Sequence, residues 1–136
     1  MAFGTFDILH PGHLHFLEKA RALGDFLIVA LARDENVKKI KGVPPLLAEK
    51  DRLAVIQNLK MVDKAVLGSR TDYLARIRQE RPDIIALGYD QKIFVKELQG
   101  LVRAGNMKLK IVRLKPFLSG KYKSSKYKEL IQKSKH

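Results

Sequence analysis

Apolar and polar positions follow two rhythms along this chain. Phe26-Leu-Ile-Val-Ala-Leu-Ala32 is apolar throughout, and Lys64–Leu67 and Asp83–Leu87 are short, mostly apolar runs. Such runs suit parallel strands covered on both faces. Between them apolar residues recur three or four apart, as on one face of a helix. Leu14, Leu17, Ala20 and Leu23 form one such stripe, Leu53, Ile56 and Leu59 (or Val55) a second, and Leu74 and Ile77 a third. Phe94, Leu98, Leu101 and Val102 make a fourth. The predicted strands are 2–6, 26–32, 64–67, 83–87 and 108–114. The predicted helices are 12–23, 48–59, 72–80 and 94–104, with a last one opening at Ser124 or Ser125.

Local punctuation agrees with these bounds. Gly24 and Gly105-Asn106 stop helices, Ser69 or Thr71 caps one, and Pro82 ends it. Lys108–Leu114 alternates polar and apolar residues, which predicts an edge strand guarded by its lysines. Residues 33–45 read as a basic loop closed by Pro44 and Pro45. Asp63 reads as a structural turn residue. The order βαβαβαβαβα predicts an α/β, Rossmann-like domain over residues 1–136. Its five-stranded, mostly parallel sheet carries helices on both faces.

Composition narrows the chemistry. The 136 residues contain no cysteine, so disulfides, thiolate metal sites and a thiol nucleophile are excluded. No apolar run is long enough to span a bilayer and no secretory pattern opens the chain, so a cytoplasmic enzyme without a membrane partner is expected. Lysine and arginine number 27 against 14 acids, for a net charge of +13. That balance attracts anions, whether nucleotides, phosphorylated small molecules or nucleic acid. Much of the surplus falls between Lys108 and Lys135, where Glu129 is the only acid.

The stretch Phe3–Ala20 concentrates the candidate chemistry. Gly4-Thr5-Phe6-Asp7 ends the first strand, and His10-Pro11-Gly12-His13 opens the first helix. A helix N-terminus offers unpaired N–H groups and the positive end of the macrodipole. Two imidazoles there make a cradle for a polyphosphate. Gly4 would let the backbone approach a ligand closely, and Gly12 likewise. The same residues also read as ordinary strand-to-helix punctuation, with Pro11 at a favoured first position.

These two phrases resemble the signature of the cytidylyltransferase-like nucleotidyltransferases, including its His-x-Gly-His motif. Further segments extend the likeness: Ala32–Pro45, Val62-Asp63-Lys64-Ala65-Val66-Leu67-Gly68, and Leu87-Gly88-Tyr89-Asp90-Gln91. Together they are most similar to the archaeal FAD synthetases, which adenylylate FMN. The resemblance implies transfer of a nucleoside monophosphate from a triphosphate, ATP favoured over CTP, to a phosphorylated acceptor, FMN favoured. Pyrophosphate is released, and Mg²⁺ or another divalent cation accompanies the triphosphate. It implies that His10 and His13 hold the α- and β-phosphates and that Lys41 reaches phosphate at the mouth. Thr5 and Phe6 would offer backbone contacts, with Pro11 and Gly12 in the same turn and Asp90 near the nucleotide. Ser124 and Ser125 would take the outer phosphates.

The likeness also marks further positions. Arg52 would open a helix beside the active site or make a local salt bridge, and Asp7 would brace the turn rather than bind metal. No residue is expected to form a protein metal site. Val43 stands where relatives often have a second lysine, and lysines 123 and 126 flank the serine pair. Tyr89, Phe117 and Tyr122 are candidates to stack on a flavin. A homodimer is expected by analogy. The alternative enzyme is a cytidylyltransferase acting on glycerol 3-phosphate, phosphoethanolamine or phosphocholine. The non-enzyme alternative is a basic nucleic-acid-binding module, which lacks interleaved aromatics or a binding motif.

Overall fold

A computed structural model describes residues 1–72, 74–92, 95–105, 108–116 and 130–131. The elements are β1 (Ala2–Gly4), α1 (Pro11–Ala22), β2 (Ile28–Leu31), α2 (Asp34–Lys41) and α3 (Glu49–Gln57). Then come β3 (Lys64–Leu67), α4 (Ala75–Glu80), β4 (Ile84–Leu87), α5 (Val95–Arg103) and β5 (Lys110–Arg113). The sheet runs β3-β2-β1-β4-β5, and every pairing is parallel. The strand order reverses beside β1, which is where open α/β sheets bind ligands. β5 lies at an edge, as its alternation predicts.

Strand side chains point to opposite faces in turn, and this divides the core in two. Ala2, Val29, Leu31 and Ala86 pack with Leu17 and Ala20 of α1 and Ile56 of α3. Met1, Phe3, Ala30, Ile85 and Leu87 pack on the other side with Ile77 of α4 and Leu98 of α5. Helices therefore cover both faces. Val55 and Val102, placed inward by periodicity, are exposed instead.

The main departure from the sequence reading is α2. Residues 34–41 are helical, where a basic loop was expected. Acids open this helix, lysines close it, and Gly42 ends it in the left-handed conformation at φ 82°. Each of those features favours a helix. The apolar stripe is too thin to announce it, because the buried positions are only Asn36 and Val37.

Neither α2 nor α3 carries its own side-chain cap. They cap each other. Glu49 Oε1 accepts from the Asp34 N–H (3.2 Å), and Asp34 Oδ2 accepts from the Glu49 N–H (3.0 Å). At their junction Arg52 is fully buried. Its Nε donates to Leu47 O (3.1 Å) and its Nη1 to Thr5 O (2.8 Å). Nη2 donates to Ala32 O (2.8 Å) and Asp34 Oδ1 (2.6 Å). One planar fork thus ties the ends of β1 and β2 to the starts of α2 and α3.

Asp63 is a structural turn residue as read, whereas α4 begins at Ala75 with Leu74 at its N-cap and no side-chain cap bond, so neither Ser69 nor Thr71 caps it. Asp63 Oδ2 accepts from the Leu27 N–H (2.7 Å), and Ser69 Oγ accepts from the N–H groups of Thr71 and Asp72 ahead of α4. Removing the buried fork should be costly. Arg52→Ala strands an acidic partner and three carbonyls, so a loss of about 3–5 kcal/mol is expected in urea denaturation. Arg52→Lys should recover little of it, since a lysine cannot reproduce the fork.

Candidate active site

β1 ends at Gly4, and the turn that follows is shaped by Phe6. Its φ of 50° is left-handed, an uncommon conformation for a bulky residue. The ring folds back over Gly4, where an added Cβ would lie 2.6 Å from Phe6 Cε2. Gly4 is therefore required to seat the Phe6 ring, a reason distinct from close approach of a ligand. Asp7 is buried, and its two carboxylate oxygens accept from the Leu46 and Leu47 N–H groups at 2.8 Å each. It braces the turn against the segment between α2 and α3.

His10 caps α1. Its Nδ1 accepts from the Gly12 N–H (3.1 Å), and Pro11 is the first helical residue. With Nδ1 occupied as an acceptor, the neutral ring carries its proton on Nε2. The His13 ring stacks on His10 at 3.8 Å between centroids and 24° between planes. The Phe6 ring meets His13 edge-on at 5.4 Å. His10 is buried and His13 half-buried, and among the described residues His13 Nδ1 has no hydrogen-bond partner.

Burial lowers the pKa of His10. His13 is lowered to about 4, first by burial, then by the charges of His10 and Lys41, against a backbone hydrogen bond to Ile8 that raises it. At neutral pH both rings are thus uncharged. Two imidazoliums at this spacing would repel each other, so the pair rests in its neutral form. Lys41 ends α2 close enough for His13 to feel its charge.

A cavity of about 320 Å³ opens beside this cluster, over the ends of β1 and β2. Its apolar surface comes from Phe3, Ala30, Leu31, Val37 and Ile40. Thr5, Lys41 and Asp90 also line it, while neither histidine does. Lys41 is thus the link between the two regions. Asp90, which is exposed, stands on the wall after β4 and α2 forms the wall after β2.

Arg52 serves the site from beneath, bonded to Thr5 O, and does not line the cavity. Ser124, Ser125, Phe117 and Tyr122 lie outside the described residues. Tyr89 is exposed and does not line the cavity. The sequence reading missed Asn36, Arg76, Gln91 and Lys92, all of which do. Asn36 is buried, and its Nδ2 donates to Ser69 O (3.1 Å). Recognising α2 as a helix would have placed Asn36 on its inner face beside Val37. Among the described residues no group of three or more His, Asp or Glu side chains is placed to hold a metal ion.

The cytidylyltransferase-like family profile matches residues 1–130. The FAD synthase of Aciduliprofundum boonei is 49% identical over 117 residues, 86% of this chain and 78% of that protein. The FAD synthase of Methanothrix thermoacetophila is 53% identical over 114 residues, 84% of this chain and 78% of the relative. A solved structure, described as the lipopolysaccharide core biosynthesis protein from Thermoplasma volcanium GSS1, superposes with a TM-score of 0.79 at 44% identity. It covers 86% of this chain and 95% of that one.

The depressed pKa has a checkable sign. The unfolded chain binds a proton at His13 near the model-peptide value of about 6.5. The folded chain binds it only at about 4. Between those values the unfolded state holds more protons, so the stability linked to His13 falls as pH drops through that window. NMR titration of the free protein should place the His13 midpoint at about 4. Added inorganic pyrophosphate should raise it.

Proposed function

The chain belongs to the cytidylyltransferase-like family of nucleotidyltransferases, and on that premise we propose that it adenylylates FMN with ATP, forming FAD. A terminal oxygen of the FMN phosphate attacks the α-phosphorus of ATP. The bond from that phosphorus to the bridging α–β oxygen breaks, and pyrophosphate leaves with the electron pair. The FMN phosphate is ionised at neutral pH, so no strong base is required. Positioning and charge neutralisation carry such a transfer.

The observation that carries this reading is the neutral, stacked imidazole pair at the start of α1. His10 through Nε2, and His13 once the anion has raised its pKa and its second nitrogen is protonated, donate to the α- and β-phosphates, where charge grows as the bond breaks. The N-terminus of α1, with Pro11 and Gly12, adds its dipole to the same anion. Thr5 and Phe6 contribute backbone contacts. Lys41 sits at the mouth and neutralises phosphate shared between the two substrates. Asp90, on the wall after β4, is assigned to the nucleotide. The cavity facing α2 takes the flat ring of FMN, supported by its apolar floor. Ser124 and Ser125 are assigned to the outer phosphates by resemblance. Mg²⁺ or a similar divalent cation bound to the triphosphate supplies further charge neutralisation.

The reading extends to a homodimer in the cytoplasm. No helix among the described residues is long and apolar enough to cross a membrane. The relatives named FAD synthase favour FMN over the acceptors of the cytidylyltransferases.

Pyrophosphate release should be observed with ATP and FMN and should be weak with CTP and glycerol 3-phosphate. The reverse pattern would overturn the choice of substrates. In the same assay His13→Ala should lower kcat by about 10²–10³, as for loss of a preorganised donor at developing charge. Circular dichroism should show the variant folded.

A further inference from the structure

Gln91 stands where the β1–β4 ladder ought to continue. Those strands pair through Ala2 and Ala86, with the Ala86 N–H donating to Met1 O at 2.9 Å. In a parallel ladder the next bond in this direction runs from the Gly88 N–H to Phe3 O. It is absent. The Gly88 N–H donates to Gln91 Oε1 (2.8 Å), and Gln91 Nε2 donates to Phe3 O (2.8 Å). A side-chain amide is spliced into the missing rung and satisfies both backbone groups.

The opening is local. On one side of it β1 stays bonded to β2 as far as Ala32 N–H to Gly4 O (3.0 Å). On the other side β4 stays bonded to β5 as far as Leu114 N–H to Leu87 O (2.8 Å). Only the β1–β4 seam is parted at that level. The loop carrying Gln91 is held from β5, where Arg113 Nη1 donates to Gly88 O and Gln91 O at 2.8 Å each. Tyr89 and Asp90 lie between those anchored points, and Arg113 Nη1 also reaches Tyr89 O (3.4 Å).

We infer that Gln91 is a positioning residue: its carboxamide wedges β1 from β4 by one amide group, sets the width of the crevice, and aims Asp90 at the nucleotide. The aiming of Asp90 rests on the nucleotidyl-transfer reading above. The wedge itself does not.

Two substitutions test both parts. Gln91→Glu keeps an acceptor for the Gly88 N–H. Its second oxygen faces the Phe3 carbonyl, which a protonated carboxyl can donate to and a carboxylate cannot. Gln91→Met keeps the bulk and loses both bonds at every pH. In the unliganded protein the Tm deficit of Gln91→Glu against wild type should widen from about pH 5 to about pH 8. That of Gln91→Met should stay flat. A flat Gln91→Glu deficit overturns the wedge.

In turnover with ATP and FMN, Gln91→Glu at about pH 8 should raise the KM for ATP about tenfold and change kcat less than about threefold. The ratio to wild type should recover towards about pH 5.5 as the carboxyl protonates. An unchanged KM with the stability signature present overturns the positioning role alone. If wild type makes no FAD, the proposed reaction falls, and the wedge is still judged by the melting curves.

Discussion

A single buried guanidinium holds the working end of this molecule together. Arg52 reaches the carbonyls just past β1 and β2, the first acid of α2 and the backbone ahead of α3. A cation taken this far from water is tolerable only with its donors satisfied and a carboxylate at hand. That requirement runs in both directions. The fork fixes Thr5, and with it the turn that carries Phe6 and the histidines. It also fixes Asp34, and with it the helix that ends at Lys41. The two halves of the candidate site, which stand on separate crossovers of the sheet, are registered to each other through this residue.

Around that anchor the site separates two kinds of charge. The protein as a whole is strongly positive, which draws polyanions toward it. The imidazole pair at the centre is kept neutral by burial and by mutual proximity. In the proposed reaction, attraction at long range and donation at short range would thus fall to different groups.

The fold was legible in the sequence wherever a core was built from continuous or periodic apolar residues. Lys64–Leu67 matches β3 to the residue, and the α1 stripe of Leu17 and Ala20 is buried as read. The histidine motif stood out through residue type and spacing, and Lys41 was singled out only through the family resemblance. α2 did not, because its stability comes from termini and reciprocal caps with α3, partners fifteen residues apart. Gly4 was recognised as necessary, yet its reason lies in the unusual φ of Phe6, which no local pattern encodes. Gln91 was passed over for a related cause. A glutamine in a turn looks like solvated surface until the strand pairing shows a rung missing beside it.

β1 is only three residues long, and it serves both cores at once. Ala2 faces the α1 and α3 side, while Phe3 faces α4 and α5. A codon gained or lost within it would exchange those faces, sending the bulky ring into the space of a methyl group. The neighbouring strands could not compensate, because each is paired to β1 along its own fixed register. In lineages descended from such a chain, this segment should therefore accumulate replacements but not changes of length, whereas the exposed arc around Val43–Pro45 is free to grow or shrink.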